Sequence, residues 1–355
     1  MKKVLFGTSA LVAAGLFAGQ AVAAEPISLS IGGKQEQYFG GVGFHETGGG
    51  ISDSFGIASD TELYFTGSTT LDNGITVRAV IQMEATLGTG APDEQYVDLS
   101  GSFGRIRAGI KEGVFDSSAV EAPGVGEVSL ADVTGWVGTT VNGTDPNGLD
   151  VTNTSDQASV SYFTPTFMGL QLGGSYIPDV AEANINDPGV LLTTGAENNE
   201  FQFSLNYDGE FSGVGIAANA AGLYRMDTAF GNEYIAWRAG TELSYAGFAL
   251  GGAFTQYNGT NQSNATDGIT WNVGATYEVG PYGVGIRYGN ATTRGTARDG
   301  QNDVIHGIVF GAEYDLGPGI TLVGDIFHST VDADTAVTSI DRSGTGAVAG
   351  IALSF

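Results

Sequence analysis

Apolar and polar side chains alternate along two neighbouring segments of the chain, 61–71 and 75–86. In the first segment Leu63 and Phe65 share one face with polar residues opposite them, and in the second Ile75 begins a similar apolar face. A period of two residues is that of a β-strand. The intervening Asp-Asn-Gly is typical of a tight hairpin turn. These residues therefore predict an antiparallel β-hairpin.

The same alternation recurs to the end of the chain, with short turns and long polar loops in alternate places between the strands. A soluble sandwich or propeller also has many strands, but it rarely sorts its connections in this way. A transmembrane barrel with short periplasmic turns and long external loops does so by construction. We therefore predict an all-β fold, a transmembrane antiparallel β-barrel of sixteen strands. The predicted strands lie near 27–39, 61–71, 75–86, 95–103, 105–111, 157–164, 169–177, 199–208, 213–223, 233–245, 248–258, 269–279, 282–292, 303–315, 320–330 and 344–355.

The N-terminus has the features of a secretory signal peptide. Lys2 and Lys3 precede an apolar run over 4–18, and small residues follow it. An uncleaved membrane helix is the alternative, but it needs about 20 apolar residues and the run is shorter. We expect 1–24 to be removed and 25–355 to form a single barrel domain.

The composition narrows the class of partner and of fold. The formal net charge is −26, which argues against nucleic-acid binding because that requires a basic surface. Cysteine is absent, so no disulfide supports the exported chain. Although 42% of the residues are hydrophobic, no later segment contains the roughly 18 continuous apolar residues of a membrane helix. A high hydrophobic content without a later apolar run of this length fits a barrel that crosses the membrane with strands.

The longest interruption between predicted strands is the loop 111–156. Loops of this length are usually functional or disordered. Apolar residues such as Phe115 and Trp136 argue against disorder, because they can pack against the barrel wall. The loop also carries acidic residues that we expect near the pore, namely Glu112, Asp116, Glu121, Glu127 and Asp132.

A basic set of side chains is predicted to face the loop across the lumen. The alternation directs six of them inward, and the seventh lies at the root of the loop. A basic wall opposite an acidic loop creates a transverse field, and rings of charge set ion preference. The set consists of Lys34, Arg78, Arg105, Arg107, Arg238 and Arg287, with Lys111 at the loop root.

Three features resemble the Gram-negative general porins of the alphaproteobacterial type. They are YVDLSGSFGRIRAGI at 96–110, ASVSYFTPTFMGLQLGGSY at 158–176 and the terminal Phe355. The resemblance spans nearly all of the mature sequence. It implies a sixteen-stranded barrel, usually a homotrimer, whose third external loop folds into the pore. It also implies that the strand ending in Phe355 closes the barrel against the first strand and resembles the signal read by the outer-membrane assembly machinery.

The resemblance carries over to the constriction residue by residue. Arg78, Arg105 and Arg107 match the wall arginines of the family in type and placement. Its loop acids are matched by Glu121, Glu127 and Asp132. The PEFGG-like motif of the family loop is missing, so the sequence leaves open which acid lines the narrowest point.

The resulting prediction is a general diffusion porin of the outer membrane that passes ions and small hydrophilic solutes. A solute-specific channel and an adhesin-like barrel are the alternatives. No enzymatic role is expected, because the chain lacks GxSxG and its histidines lack metal-ligand spacing. The expected partners are outer-membrane lipid, two further copies of the chain, the assembly machinery and the solutes, with no cofactor. A structural Ca²⁺ bound by the acidic stretch 332–341 is a further hypothesis.

Overall fold

The computed structural model describes residues 26–46, 54–86, 92–137, 157–178, 198–227, 232–260, 267–294, 302–334 and 339–355. Three predictions fall wholly or partly outside these residues: the signal peptide at 1–24, the end of the loop at 138–156, and the middle of the acidic stretch at 335–338. None of the helices formed by the described residues has both the length and the apolar character needed to cross a membrane.

Sixteen antiparallel strands of the described chain form a closed barrel. Each strand pairs with its neighbours in the sequence, and the first pairs with the last. The predicted all-β barrel of sixteen strands is therefore confirmed. The strands are β1 (Ser28–Glu46), β2 (Ser54–Thr70), β3 (Thr76–Glu84), β4 (Pro92–Gly101), β5 (Gly104–Ile110), β6 (Ala158–Phe163), β7 (Leu170–Ile177), β8 (Asn198–Phe211), β9 (Val214–Asp227), β10 (Asn232–Tyr245), β11 (Phe248–Thr260), β12 (Gly268–Val279), β13 (Tyr282–Arg294), β14 (Asn302–Gly317), β15 (Ile320–Asp334) and β16 (Ser339–Ser354).

Short turns join the strands at one end of the barrel. The β8–β9 turn consists of Ser212 and Gly213, with φ of 53° and 84°, and the β10–β11 turn of Ala246 and Gly247, with φ of 50° and 87°. Two successive positive φ angles are those of a type I′ turn, whose twist matches that of the strands it connects. Glycine occupies the second position in both turns because it adopts positive φ without steric cost.

Side chains alternate between the two faces of the wall, as the period of two requires. Apolar residues dominate the outer face, where Phe55 and Ile57 are 78% and 69% exposed. Polar side chains such as Ser204 and Asn219 point inward and are buried. This arrangement places an apolar belt outside and a polar lining inside.

Some strands extend beyond their predicted bounds. β1 continues to Glu46 rather than ending near 39, and β2 begins at Ser54 rather than near 61. The added part of β1 is rich in glycine, which has no side chain to show the alternation, but its backbone still pairs with β2 and β16. The ladder therefore continues where the sequence pattern fades.

The C-terminus closes the barrel. The backbone N–H of Phe355 donates to the carbonyl of Gly33 at 3.1 Å, and the N–H of Gly33 donates to the carbonyl of Phe355 at 2.9 Å. A Cβ atom on Gly33 would lie only 2.9 Å from the Phe355 ring. The glycine thus allows the terminal ring to lie directly against β1.

Candidate functional site

The loop after β5 leaves the wall at Lys111 and begins with the short helix α1 (Val114–Ser117). The N–H of Val114 donates to Ser175 Oγ on β7, and the N–H of Phe115 donates to Gln202 Oε1 on β8, each at 2.9 Å. Both apolar side chains are fully buried. The first part of the loop is therefore fixed to the inner wall.

The middle of the loop crosses the inner faces of β10 to β13. The N–H of Ala122 donates to Asn272 Oδ1 at 2.9 Å. Arg238 contacts Glu121 Oε1 at 3.3 Å, and Arg287 Nη2 donates to the carbonyl of Val128 at 2.8 Å. These contacts hold the loop to the wall by polar groups on both sides.

The loop tip is anchored by one carboxylate on β15. Asp325 Oδ2 accepts the N–H groups of Glu127 at 3.0 Å and of Val128 at 3.3 Å. Gly126 has φ of 86°, and a Cβ atom there would lie 2.1 Å from Asp325 Oδ1. Only glycine fits this close approach without moving the carboxylate.

The loop ends its described course in helix α2 (Leu130–Val137). Ser129 and Asp132 cap its start reciprocally, since the side chain of each accepts the backbone N–H of the other, at 2.7 and 3.1 Å. The apolar side of α2 packs into a buried cluster on the inner wall. The cluster comprises Leu130, Val133 and Val137 of α2, Val128 before it, and Tyr38, Val42, Val309, Val323, Phe327 and Val348 of the strands.

The described loop therefore covers the inner wall from β7 around to β16 and β1. These contacts reach the first inward residues of β2, where Ala58 packs against the same cluster. They leave the rest of the inner face of β2 to β5 uncovered, across the lumen from the loop. Any passage through the barrel therefore has to run between the two surfaces. We call this inner face of β2 to β5, together with Lys34 of β1 beside it, the open wall.

Arginines on the open wall interact with aromatic rings and one shared carboxylate. Arg107 makes a bidentate contact with Asp98, at 2.8 and 3.1 Å, and its guanidinium lies 4.3 Å from the centre of the Tyr96 ring. Arg78 Nη1 is 3.8 Å from the same Asp98. Arg105 stacks on the ring of Phe163 at 4.1 Å. The shared carboxylate fixes the geometry of the first two arginines.

Lysines on the same side are paired with acids. Lys34 Nζ lies 2.6 Å from Asp60 and 2.9 Å from Glu62. Lys111 Nζ lies 2.5 Å from Glu94 and also contacts Glu112. The open wall is thus lined by both signs of charge.

Oxygen atoms of three wall carboxylates, Asp60, Glu62 and Glu84, lie within 4.8 Å of one another. Lys34 already places its ammonium beside two of them. The group is therefore accounted for as part of the wall's charge pairing.

The predicted site residues fall into three places. Lys34, Arg78, Arg105 and Arg107 lie on the open wall, and Lys111 and Glu112 pair at the loop root. Arg238 and Arg287 face inward but lie behind the loop, in contact with it, rather than across the lumen. The remaining loop acids are Glu121 against Arg238, Glu127 at the tip, Asp132 exposed on α2 and Asp116 in α1.

The loop anchors were not predicted from the sequence. Asp325, Asn272 and Gln202 are single inward polar residues, and the alternation does not reveal that they bind a loop. A signal was present beside Asp325, since Val323 and Phe327 are inward-facing apolar residues in a lumen that should be polar. Such residues indicate that another segment covers this wall.

Comparison with known proteins agrees with this geometry. The sequence matches the family model for Gram-negative porins over residues 8–334. No functionally curated protein matches the sequence.

Solved porin structures share the fold. An anion-selective porin from Comamonas acidovorans aligns with a TM-score of 0.66 at 18% identity, covering 93% of this chain and 100% of that one. The trimer form of OmpT from Vibrio cholerae aligns with a TM-score of 0.64 at 10% identity, covering 94% and 100%. A variant of the Rh. blastica porin aligns with a TM-score of 0.56 at 18% identity, covering 92% and 100%.

A closed barrel with an apolar belt, a polar lining and an inward loop is the architecture of an aqueous pore through the outer membrane. Because the family model covers nearly the whole chain, the protein belongs to the Gram-negative porin family and is a general diffusion porin.

Proposed function

We propose that this porin is a homotrimer in which the inward loop and the open wall form a charged constriction with a weak preference for cations. The observation that carries the proposal is the course of the loop, which covers the inner wall from β7 to β1 and leaves one charged face opposite. Rings of charged side chains at such a narrowing set ion preference.

The sign of the preference is inferred from the pairing of charges. Lys34, Arg107 and Lys111 on the open wall or at the loop root are each within 3 Å of a carboxylate, so their fields are largely compensated. Arg105 makes no ion pair with any described residue and contributes an uncompensated positive charge. The loop adds two acidic side chains, Glu127 and the exposed Asp132. The formal net charge of the whole chain is −26. This acidic excess favours cations.

Removing the two least compensated wall charges should strengthen the cation preference. We expect the double variant Arg78→Gln, Arg105→Gln to raise the K⁺ to Cl⁻ permeability ratio by about twofold or more. The reversal potential in a KCl gradient across a planar bilayer measures this ratio. The charge-conserving control Arg78→Lys, Arg105→Lys should remain near the original value, and equal ratios in all three proteins would contradict the assignment.

Cation preference should also rise with pH because of Glu127, which lies on the loop outside the strands. Burial, followed by the neighbouring Glu36, raises the pKa of Glu127 from 4.5 to about 7. In the docked loop Glu127 therefore keeps its proton up to a higher pH than a solvated glutamate does. Docking is strongest at or below pH 4.5 and weakens as pH rises through about 7, when Glu127 becomes charged. The groups near this carboxyl are Lys34, Glu36 and Tyr38 of β1, Asp132 of α2 and Arg287 of β13.

The expected result is a K⁺ to Cl⁻ ratio that increases between pH 5.5 and pH 8, by about twofold. Glu127→Gln should flatten this increase, since it mimics the protonated form at every pH. Asp132→Asn is the control for loss of another acid from the same loop. It should retain the increase, with a midpoint at lower pH because Asp132 helps to raise the pKa of Glu127. If the K⁺ to Cl⁻ ratio of Glu127→Gln rose with pH as steeply as that of the unchanged protein, the role of this carboxyl would be contradicted.

The trimer interface is proposed for the outer face of β1 to β6. β5 and β6 have only seven and six residues, which at a tilt of about 40° rise roughly 18 and 15 Å, less than the apolar band of about 25 Å. On β1, Gln35 points outward and is exposed beside Leu353 of β16. A short strand and an outward glutamine are unfavourable against lipid, and contact with a second copy removes both costs.

Single-cysteine variants test this interface cleanly, because the chain contains no cysteine. We expect Gln35→Cys to react with a membrane-soluble maleimide about tenfold more slowly than Ile286→Cys, whose outward side chain on β13 is 47% exposed. Dissociating the trimer should remove the difference. Equal labelling of the two cysteines in the assembled protein would place the interface elsewhere.

We also propose that the protein is processed during export as the sequence predicts. Residues 1–24 would be removed during export, leaving 25–355 as a single barrel domain. The N-terminal mass of protein isolated from outer membranes tests this directly. Ca²⁺ binding by 332–341 is tested by a change in melting temperature on chelation.

A further inference from the structure

Three inward side chains on adjacent strands form a buried polar group behind the loop. Arg238 of β10 pairs in register with Thr255 of β11, which pairs with Thr270 of β12. Each residue is 1% exposed. Arg238 Nε and Nη1 and the hydroxyl oxygens of both threonines are buried and have no hydrogen-bond partner among the described residues. We call this group the Arg238 pocket.

The loop closes the pocket from the lumen. The ring centre of Phe115 lies 5.6 Å from the guanidinium carbon of Arg238. Glu121 Oε1 lies 3.3 Å from Arg238 Nη2, and the neighbouring Ala122 is fixed to Asn272 of β12. The arginine side chain is completely excluded from solvent by these elements.

A guanidinium in this position needs more compensation than the protein groups supply. Arginine carries five N–H donors and stays charged in proteins. Here one of its nitrogens makes a single contact of 3.3 Å with a carboxylate, and the other two have no acceptor in the part of the chain that the structure describes. Burial raises the pKa of Glu121, which weakens that carboxylate as a counter-charge. Buried charges are normally paired and fully hydrogen-bonded.

We propose that the Arg238 pocket binds a small monovalent anion of the chloride type, held by Arg238 and by the hydroxyl groups of Thr255 and Thr270. Both hydroxyls can rotate to donate, so three adjacent strands place N–H and O–H donors side by side in register. A spherical halide suits this set because it accepts from several directions and supplies the missing negative charge. The enclosing Phe115 and the loop backbone disfavour a larger anion such as phosphate. The ion would hold the loop in place without lying in the conducting path.

Bromide is the probe, because it replaces chloride and scatters anomalously. Crystals of the complete trimer grown in sodium bromide should show an anomalous peak between Arg238, Thr255 and Thr270. Anomalous density absent from the pocket at high bromide, with water there instead, would overturn the proposal.

Solution measurements separate a built site from chance binding. We expect the melting temperature of the trimer to rise with bromide at constant ionic strength, gluconate being the replacement anion. Thr255→Val removes one donor while keeping the shape of the side chain, and it should raise the half-saturating bromide concentration about tenfold. Thr276→Val, an inward threonine lower on β12, should leave that concentration unchanged. A bromide dependence equal in all three proteins, or absent in all three, would contradict the assignment.

Discussion

Deletion of Phe355 is expected to reduce the amount of barrel assembled in the outer membrane roughly tenfold, because the last backbone pair of the closing seam is lost. The N–H and carbonyl of Phe355 pair with Gly33, and its ring lies against the same glycine. Quantifying heat-modifiable trimer in isolated outer membranes measures the effect.

Two controls separate the seam from recognition by the assembly machinery. Phe355→Tyr keeps the aromatic ring and the backbone pair and should assemble normally. Phe355→Ser keeps only the backbone pair. If Phe355→Ser refolds normally into lipid vesicles but assembles poorly in cells, the ring acts as the assembly signal. Normal assembly of the deletion variant in cells would contradict both roles.

Asp325→Ala is expected to free the loop tip and to enlarge the constriction. The variant removes the acceptor for the N–H groups of Glu127 and Val128, and hydrogen bonds to a charged group contribute about 1.5–3 kcal/mol each. We therefore expect a higher single-channel conductance, more current noise and entry of larger sugars in liposome swelling. The equilibrium constant for docking of the loop tip on the wall should fall about 100-fold or more.

Asp325→Asn is the matched control for this variant. Both N–H groups bond to the same oxygen, Oδ2, so one amide carbonyl can accept both. The control removes the charge but retains both hydrogen bonds in a weaker, neutral form, and its conductance should lie between that of the unchanged protein and that of Asp325→Ala. An unaltered conductance and size limit in Asp325→Ala would show that the tip is held by the α2 cluster alone.

The barrel was predictable because alternate side chains of each strand face two different environments, lipid and lumen, and differ in polarity accordingly. The hairpin at 61–86 shows this clearly, with apolar residues facing lipid and polar ones facing the lumen. The pattern was weakest in the glycine-rich end of β1, where strand pairing rather than side-chain alternation determines the structure. Strand number and order follow from local pattern, whereas strand ends depend on neighbours.

The constriction was predictable only in part. Alternation correctly directed Arg238 and Arg287 inward, but it could not show that the loop lies over them. The same limit applies to the open wall, where Asp98 and Glu94 compensate cations that the sequence presented as a basic surface. Long-range docking of a loop depends on contacts between residues some 200 positions apart, as for Glu127 and Asp325. A periodic pattern within single strands carries no information about such contacts.

The most direct test of an open, cation-preferring pore is the current through purified trimers in a planar bilayer under a KCl gradient. We expect discrete conductance steps without added ligand and a reversal potential on the K⁺ side. Steps with a reversal potential on the Cl⁻ side would confirm an open pore, but they would contradict the claim that carboxylates compensate the cations of the open wall. A protein that inserts as a trimer and passes no current at any voltage would contradict the open diffusion pore.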